Sequence, residues 1–272
     1  MNYNKIDLIM NNKGEKKMGW SIFQYENNFI STTREEANGI PFLKFRPKGY
    51  EGVLPTVIFY HGWHSSKEFM RFKAMTIASY GYQVIAPDAL HHGERDVIDY
   101  DNPESFNKYL WKITLQSIKE SKQFIDAIVN EHEADATRIG IMGSSMGAIT
   151  AGGVLVENPD VKCLIGLNGT FAWQEAIKRK HMPAASNENE EVIKYYDPIN
   201  NGDKVKEKAI LILHGVGDTS VPIETQRLFY NQVYPLYIKN PENLQLLEES
   251  NIDHKITMGM MQDAVTWLKE HL

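Results

Sequence analysis

The pentapeptide Gly143-Ser144-Ser145-Met146-Gly147 is the place where this sequence could carry out nucleophilic chemistry. It fits the pattern G-x-S-x-G, and only Ser145 has a glycine two residues away on both sides. An apolar run (138–142) leads in, and a run of small and apolar residues (146–156) leads out. A strand that turns directly into a helix would hold the serine in a strained conformation at the tip of the turn. Its neighbours must be small, because strand and helix approach closely there. The helix start then aims free N–H groups and the positive end of its dipole at the serine. The N–H of Met146 becomes a donor to an oxyanion. Without its flanks the pentapeptide would read as an ordinary glycine/serine turn; with them it reads as a nucleophile elbow.

A serine hydroxyl is a weak nucleophile until a base takes its proton. In the chain order serine, acid, histidine, the two partners are sought downstream. Asp218 lies in LILHGVGDTSVP, just past an apolar run, where Gly215 and Gly217 permit a sharp turn. His254 lies in EESNIDHKIT, between the last strand-like run and the terminal helical pattern. Both are expected at strand C-terminal ends, so their loops can converge on Ser145. His254 would accept the serine proton and return it to the leaving group; an unperturbed imidazole, with a pKa of about 6.5, suits this near neutral pH. Asp218 would fix the tautomer of the ring and stabilise the imidazolium. Asp253 competes for the acid role, but as the direct neighbour of His254 its side chain is expected to point elsewhere.

The second oxyanion donor is expected after an earlier strand, in Tyr60-His61-Gly62-Trp63-His64-Ser65-Ser66. Gly62 lets the backbone approach a substrate carbonyl, and by position the N–H of Trp63 is the donor. His61 is expected to brace this loop. Whether His64 faces the pocket is left open by the residues.

These groups need a frame. From Val53 onward short apolar runs alternate with helical patterns, the signature of βαβ units and a parallel sheet. Strands are expected at 56–60, 83–86, 137–142, 161–167, 209–213 and 244–247. Helices are expected at 67–80, 103–133, 148–157, 222–234 and 259–272. In the first, Phe69, Phe72, Met75 and Ile77 are expected on or near one face; in the second, Leu110, Ile113, Ile118, Ile125 and Ile128 are expected in the core. Residues 1–52 suggest one or two antiparallel strands at a sheet edge, as in 40–45. The expected fold class is α/β: an α/β-hydrolase fold with a mostly parallel twisted sheet and helices on both faces. All of 1–272 is expected to form one domain. Residues 168–206 break the alternation. They are polar in the middle and carry Phe171, Trp173, Tyr195 and Tyr196, which suggests a lid or cap insert on the ligand side of the sheet.

The bulk properties fit this picture. The 272 residues can bury a large core, and a net charge of −6 argues against a general nucleic-acid binder. The one cysteine, Cys163, excludes a disulfide within the chain and sits in an apolar run as a buried hydrophobe. The opening MNYNKIDLIMNNKGEKK lacks the apolar stretch of a signal peptide. No apolar run reaches the roughly 18 residues of a membrane helix. A cytoplasmic protein without membrane partners is expected.

FYHGWHSSKE, PDALHHGER, GSSMG, LHGVGD and the late DH together resemble the small bacterial α/β-hydrolase esterases of the YitV/YjfP type, which are grouped with the prolyl oligopeptidase-like and dienelactone hydrolase-like serine hydrolases. The resemblance covers roughly residues 40–272. It implies carboxylesterase activity on short acyl esters, with Ser145, Asp218 and His254 as the triad and Trp63 and Met146 at the oxyanion. Two departures bear on it. The chain is too short to carry an N-terminal propeller as well, which speaks against a size-selecting oligopeptidase. The nucleophile is a serine, which speaks against a true dienelactone hydrolase.

The remaining reactive residue types have plainer readings. His91 and His92 beside Asp88 and Glu94 invite a metal reading, but adjacent histidines seldom face one ion and no further ligand spacing supports it. Asp88 is expected to brace its loop through backbone N–H groups. No metal or cofactor is expected. Lys119, Glu120 and Lys122 read as a solvated helix face. Tyr109, Trp111 and Met182 suit an acyl pocket or ordinary packing equally. Besides an esterase, the residues allow a thioesterase, a small peptidase or a lipase, and, from a different class, a catalytically silent binding protein. The expected partner is a small-molecule ester; the oligomeric state is not encoded in any motif.

Overall fold

The computed structural model describes residues 28–272 and, before them, the backbone of one short pairing of Ile9–Met10 with Lys16–Lys17. The reading of the opening residues as lacking a signal peptide lies outside the described residues.

The described chain builds an eight-stranded sheet from β1 (Ile30–Ala37), β2 (Ile40–Pro47), β3 (Leu54–Tyr60), β4 (Gln83–Pro87), β5 (Ala134–Ser144), β6 (Cys163–Leu167), β7 (Ala209–Gly215) and β8 (Leu244–Glu249). Its spatial order is β1-β2-β4-β3-β5-β6-β7-β8. The β1–β2 and β2–β4 pairs are antiparallel, and every later pair is parallel. This is the α/β-hydrolase fold, with the antiparallel strands at one edge as the alternation at 40–45 suggests.

Two apolar layers sandwich the sheet, because alternate strand residues point to opposite faces. Phe42, Ile58, Ile85, Ile141, Leu164 and Ile212 meet α2 (Pro103–Glu131), α3 (Met146–Glu157) and α7 (Glu224–Val233). Phe45, Val57, Val84, Met142, Ile165 and Leu213 meet α1 (Arg71–Ala78) and α8 (Met258–His271). In α8, Ala264, Val265 and Leu268 face inward. In α2, Leu110, Ile113, Ile118 and Ile128 are buried and Ile125 is partly so.

The inward face of α1 differs from the expected one. Met70, Ala74, Ile77 and Ala78 are buried, while Phe69 and Phe72 are exposed at 43% and 66%. The chain enters α1 through a 3-10 turn, Lys67–Met70, which rotates the apolar face away from the spacing of a continuous α-helix.

Residues 168–206 fold into α4 (Trp173–Lys178), α5 (Glu190–Tyr196) and α6 (Gly202–Val205). Phe171 and Trp173 are roots of this segment, not part of an exposed binding face. Phe171 packs over Gly166 and Gly152, and Trp173 packs over Gly153 and against Trp111, whose indole N–H donates to Pro183 O at 2.8 Å. Trp111 and Met182 are 3% and 5% exposed and belong to the core, and Tyr109 packs against it. Cys163 is fully buried beneath Gly140, and burial pushes its thiol up to about 12.

Candidate active site

Parallel strands deliver their C-terminal ends to one edge, and the register states which residues arrive together. Tyr60 of β3 pairs with Gly143 of β5, Ser144 with Leu167 of β6, and Leu167 with Leu213 of β7. β3, β5, β7 and β8 are each followed by a loop that carries a candidate residue: Trp63, Ser145, Asp218 and His254.

Ser145 sits between β5 and α3 with φ 57° and ψ −121°, a conformation outside the ordinary regions that stores on the order of 1–3 kcal/mol of strain. The turn is pinned by Ser145 N–H donating to Leu167 O at 2.9 Å, and by Ala148 and Ile149 N–H donating to Ser145 O. The two flanking glycines are required by contact. A Cβ on Gly143 would overlap the Gly147 carbonyl, and one on Gly147 would overlap the carbonyl oxygen of Tyr60. The N–H of Met146, at the very start of α3, is one of the orphan donors of a helix N-terminus. Gly62 of the loop after β3 lies against the same spot: a Cβ there would stand 3.4 Å from Ser145 Cβ.

His254 Nε2 lies 2.9 Å from Ser145 Oγ, and its Nδ1 lies 2.7 Å from Asp218 Oδ2. The ring is therefore placed to donate from Nδ1 to the carboxylate and to accept the serine proton at Nε2. The structure brings all three residues together. Asp218 Oδ1 accepts the N–H groups of Ser220 and Val221 at 2.9 and 2.8 Å. Burial pushes the Asp218 carboxyl up, but hydrogen bonds from His214, His254 and the Val221 N–H outweigh it and hold the group well below the usual carboxylate range. Asp253 is turned away, accepting the N–H and hydroxyl of Thr219.

The loop after β3 is tied to the loop after β4. His61 Nδ1 lies 2.8 Å from Gly62 O, and Ala89 N–H donates to His61 Nε2 at 3.1 Å. His92 Nε2 lies 2.7 Å from Trp63 O. Asp88 accepts the N–H groups of Lys67 and Glu94 at 2.9 and 3.1 Å, which is the bracing role expected of it. The ring nitrogens of His92 face the backbone carbonyls of Leu90 and Trp63, and Nδ1 of His91 faces that of Asp96. His64 is exposed, its ring edge-on to Trp63 and Tyr100.

Three contributors escape motif reading. Lys67 is 1% exposed and its ammonium pairs with both Asp88 and Glu94. His214 is fully buried; its Nε2–H donates to Val221 O at 2.7 Å and lies 3.4 Å from Asp218 Oδ2. Asn168, at φ 47°, accepts Gly215 N–H and donates to Lys255 O at 2.8 Å, joining the ends of β6 and β7 to the His254 loop. The asparagine beside glycine in LNGT was a visible turn signal; what it ties together was not.

The prolyl oligopeptidase family profile matches residues 108–272, more than half of the chain. Over 264 residues the chain is 30% identical to YitV of Bacillus subtilis (strain 168), named as a candidate esterase, covering 92% of this chain and all of that one. The chain belongs to the prolyl oligopeptidase family. A second relative is esterase YjfP of Escherichia coli (strain K12), 30% identical over 254 residues, covering 89% of this chain and all of that one. Among solved structures, TT1662 from Thermus thermophilus superposes with a TM-score of 0.75 at 20% identity, covering 89% of this chain and 97% of its own. Within the prolyl oligopeptidase family, the protein is a hydrolase of the esterase type. Among the described residues, no helix is long and apolar enough to cross a membrane.

Proposed function

We propose that the protein is a serine carboxylesterase that cleaves short-chain acyl esters through an acyl-enzyme on Ser145. The observation that carries this reading is the unbroken relay from Asp218 through His254 to Ser145, at 2.7 and 2.9 Å. Ser145 Oγ attacks the ester carbonyl as its proton moves to His254 Nε2. The tetrahedral oxyanion is met by the N–H groups of Trp63 and Met146. The C–O bond to the alcohol breaks, and the alcohol leaves with the proton from His254. Water then attacks the acyl carbonyl, giving its proton to His254, and the acid leaves as Ser145 recovers the proton. Asp218 holds the Nδ1–H tautomer throughout. The cycle needs no metal or cofactor.

Short acyl chains are supported by the filled ground beside the serine. Trp63 is 6% exposed and wedged edge-on between Tyr100 and Phe106, and Met146 is 2% exposed. In the same reading 1–272 form one catalytic domain, and the outer parts of 168–206 shape the wall beside the acyl group, held by Phe171 and Trp173. A single buried cysteine suits the cytoplasm, where we place the enzyme.

Fluorophosphonate should label Ser145 covalently and leave Ser145→Ala untouched. Turnover of p-nitrophenyl acetate and butyrate should fall in Ser145→Ala by roughly 10⁶-fold in kcat. Absence of labelling in the folded protein would sink the proposal. The family's peptidase membership supports a second reading, amide cleavage. Faster turnover of aminoacyl amides than of acyl esters would favour it.

A further inference from the structure

Tyr60 is the last residue of β3, and its side chain lies on the α2 side of the sheet. The residue is 6% exposed, and its hydroxyl is buried with no hydrogen-bond partner among the described residues. Burial and the Glu120 carboxylate push the phenol well above its ordinary value, so the O–H keeps its proton at neutral pH. A buried donor of this kind is costly unless something accepts from it.

Tyr60 lines a small cavity between the end of β3, the loop after β4 and α2. Its other polar walls include Ser117, Glu120 and Ser121 of α2 and Arg95 of the loop. The volume open to a water-sized sphere is about 10 Å³, room for one water and no more. The walls differ in what they have left to offer. Ser117 Oγ donates to Ile113 O at 3.1 Å, which uses its one proton and leaves its lone pairs. Glu120 accepts both guanidinium nitrogens of Arg95 and the amide of Gln116, three bonds out of about four that a carboxylate can accept. Ser121 Oγ is already served on both sides, donating to Ile118 O and accepting from Asn158 Nδ2. The cavity is thus lined by one donor in need of an acceptor and by two acceptors with capacity remaining.

We propose that this cavity is the binding site of a single water molecule, which accepts from the Tyr60 hydroxyl and donates to Ser117 Oγ and to Glu120. Three hydrogen bonds are the usual complement of a buried water. A metal cation or an ammonium ion cannot accept from the Tyr60 O–H, and an anion would face the Glu120 carboxylate. The bridge joins the end of β3 to α2 behind the loop that carries Trp63. Through Glu120 it continues to Arg95, which donates to Asp88 O at 3.3 Å, so that β3, α2 and the loop after β4 form one hydrogen-bonded unit. The site is independent of the esterase reading, since no substrate takes part in it.

A high-resolution crystal structure of the full chain should show one ordered water within about 3.2 Å of Tyr60 Oη, Ser117 Oγ and a Glu120 oxygen. A cavity without density overturns the proposal, as does an anomalous signal there after a rubidium soak, which would mark a cation site. Urea unfolding tests the bridge in solution. Tyr60→Phe and Ser117→Ala should each raise the unfolding equilibrium constant about fivefold. The two hydroxyls do not bond each other, so coupling between them has to pass through what lies between. The double variant should therefore unfold at least about threefold less readily than the product of the single effects. Tyr60→Phe combined with Ser121→Ala is the control, because Ser121 lines the same cavity without a place in the bridge; these two effects should multiply. Simple multiplication in the Ser117 pair overturns the proposal, and so does equal coupling in both pairs, which would reflect shared packing alone.

Discussion

The two loop clusters that meet at Ser145 are built in opposite ways. On the side of Trp63, the loops after β3 and β4 are cross-tied by His61, His92 and the Lys67–Asp88–Glu94 ion cluster. His61, His92, Lys67 and Asp88 are each at most 2% exposed. On the side of His254, Asp218 and His214 are buried, but the His254 side chain is 26% exposed and projects from a short loop held by Asn168 and Asp253. The difference fits the work that the proposed mechanism gives each side. A dipole that stabilises a developing charge is most effective when it is dry and immobile. A base that passes a proton to an alcohol and later takes one from water has to be reachable by both.

The largest expected effect tests the proton-moving side. Asp218→Asn should lower kcat about 10⁴-fold, because the amide favours the wrong tautomer of His254. Steady-state kinetics with an intact circular dichroism spectrum check it; a loss below tenfold would break the assignment of the acid. The same carboxylate links to acid stability. Its folded pKa is depressed, so ionised Asp218 contributes stability that is present above the unfolded value, near 3.9, and is lost as pH falls through the lower folded value. Urea melts of wild type and Asp218→Asn should therefore keep their separation from pH 7 down to about 5 and begin to converge only as the pH falls below about 4.

The static side is tested by its buried cation. Lys67→Met leaves Asp88 and part of Glu94 without their counter-charge and should destabilise the fold by about 3–5 kcal/mol in urea unfolding. A change below 1 kcal/mol would mean that the two loops are held by their backbone bonds alone.

The outer segment 168–206 sharpens the comparison from a third direction. Trp111→Phe keeps the ring packing but removes the indole donor to Pro183 O, and should lower stability by about 1 kcal/mol with little change in kcat. A large kcat loss would instead tie this anchor to the chemistry. The smallest effect is expected at Asp253→Asn. Asp253 is bonded to Thr219, not to the ring of His254, and kcat/KM should stay within about twofold.

Much of this site is legible in the sequence. The elbow is local: GSSMG between an apolar run and a small-residue run leaves the chain few ways to turn, and Gly143 and Gly147 are there because backbone atoms occupy the space a Cβ would need. Asp218 and His254 were legible because they end or follow apolar strands, and a parallel sheet sends all such ends to one edge. The apolar face of α1 was misread because nothing in Lys67–Met70 announces a tighter turn. The aromatics of 168–206 suggest a lid or cap insert, and within it Phe171 and Trp173 are anchors; whether an aromatic faces solvent or a glycine on another helix is a matter of packing partners distant in the chain.

The sequence alone determined the strand–helix alternation, the nucleophile turn and the order of its partners, since these depend on residues close together and on the periodicity of side chains. Tertiary structure decided everything that depends on which distant loops touch. It set Asp218 rather than Asp253 against the ring of His254, put Lys67 between two carboxylates, buried His214 beside Asp218, and placed His61 between the loops after β3 and β4. Hydrogen bonds between residues far apart in sequence have no spacing to betray them; only the folded register brings donor and acceptor within 3 Å.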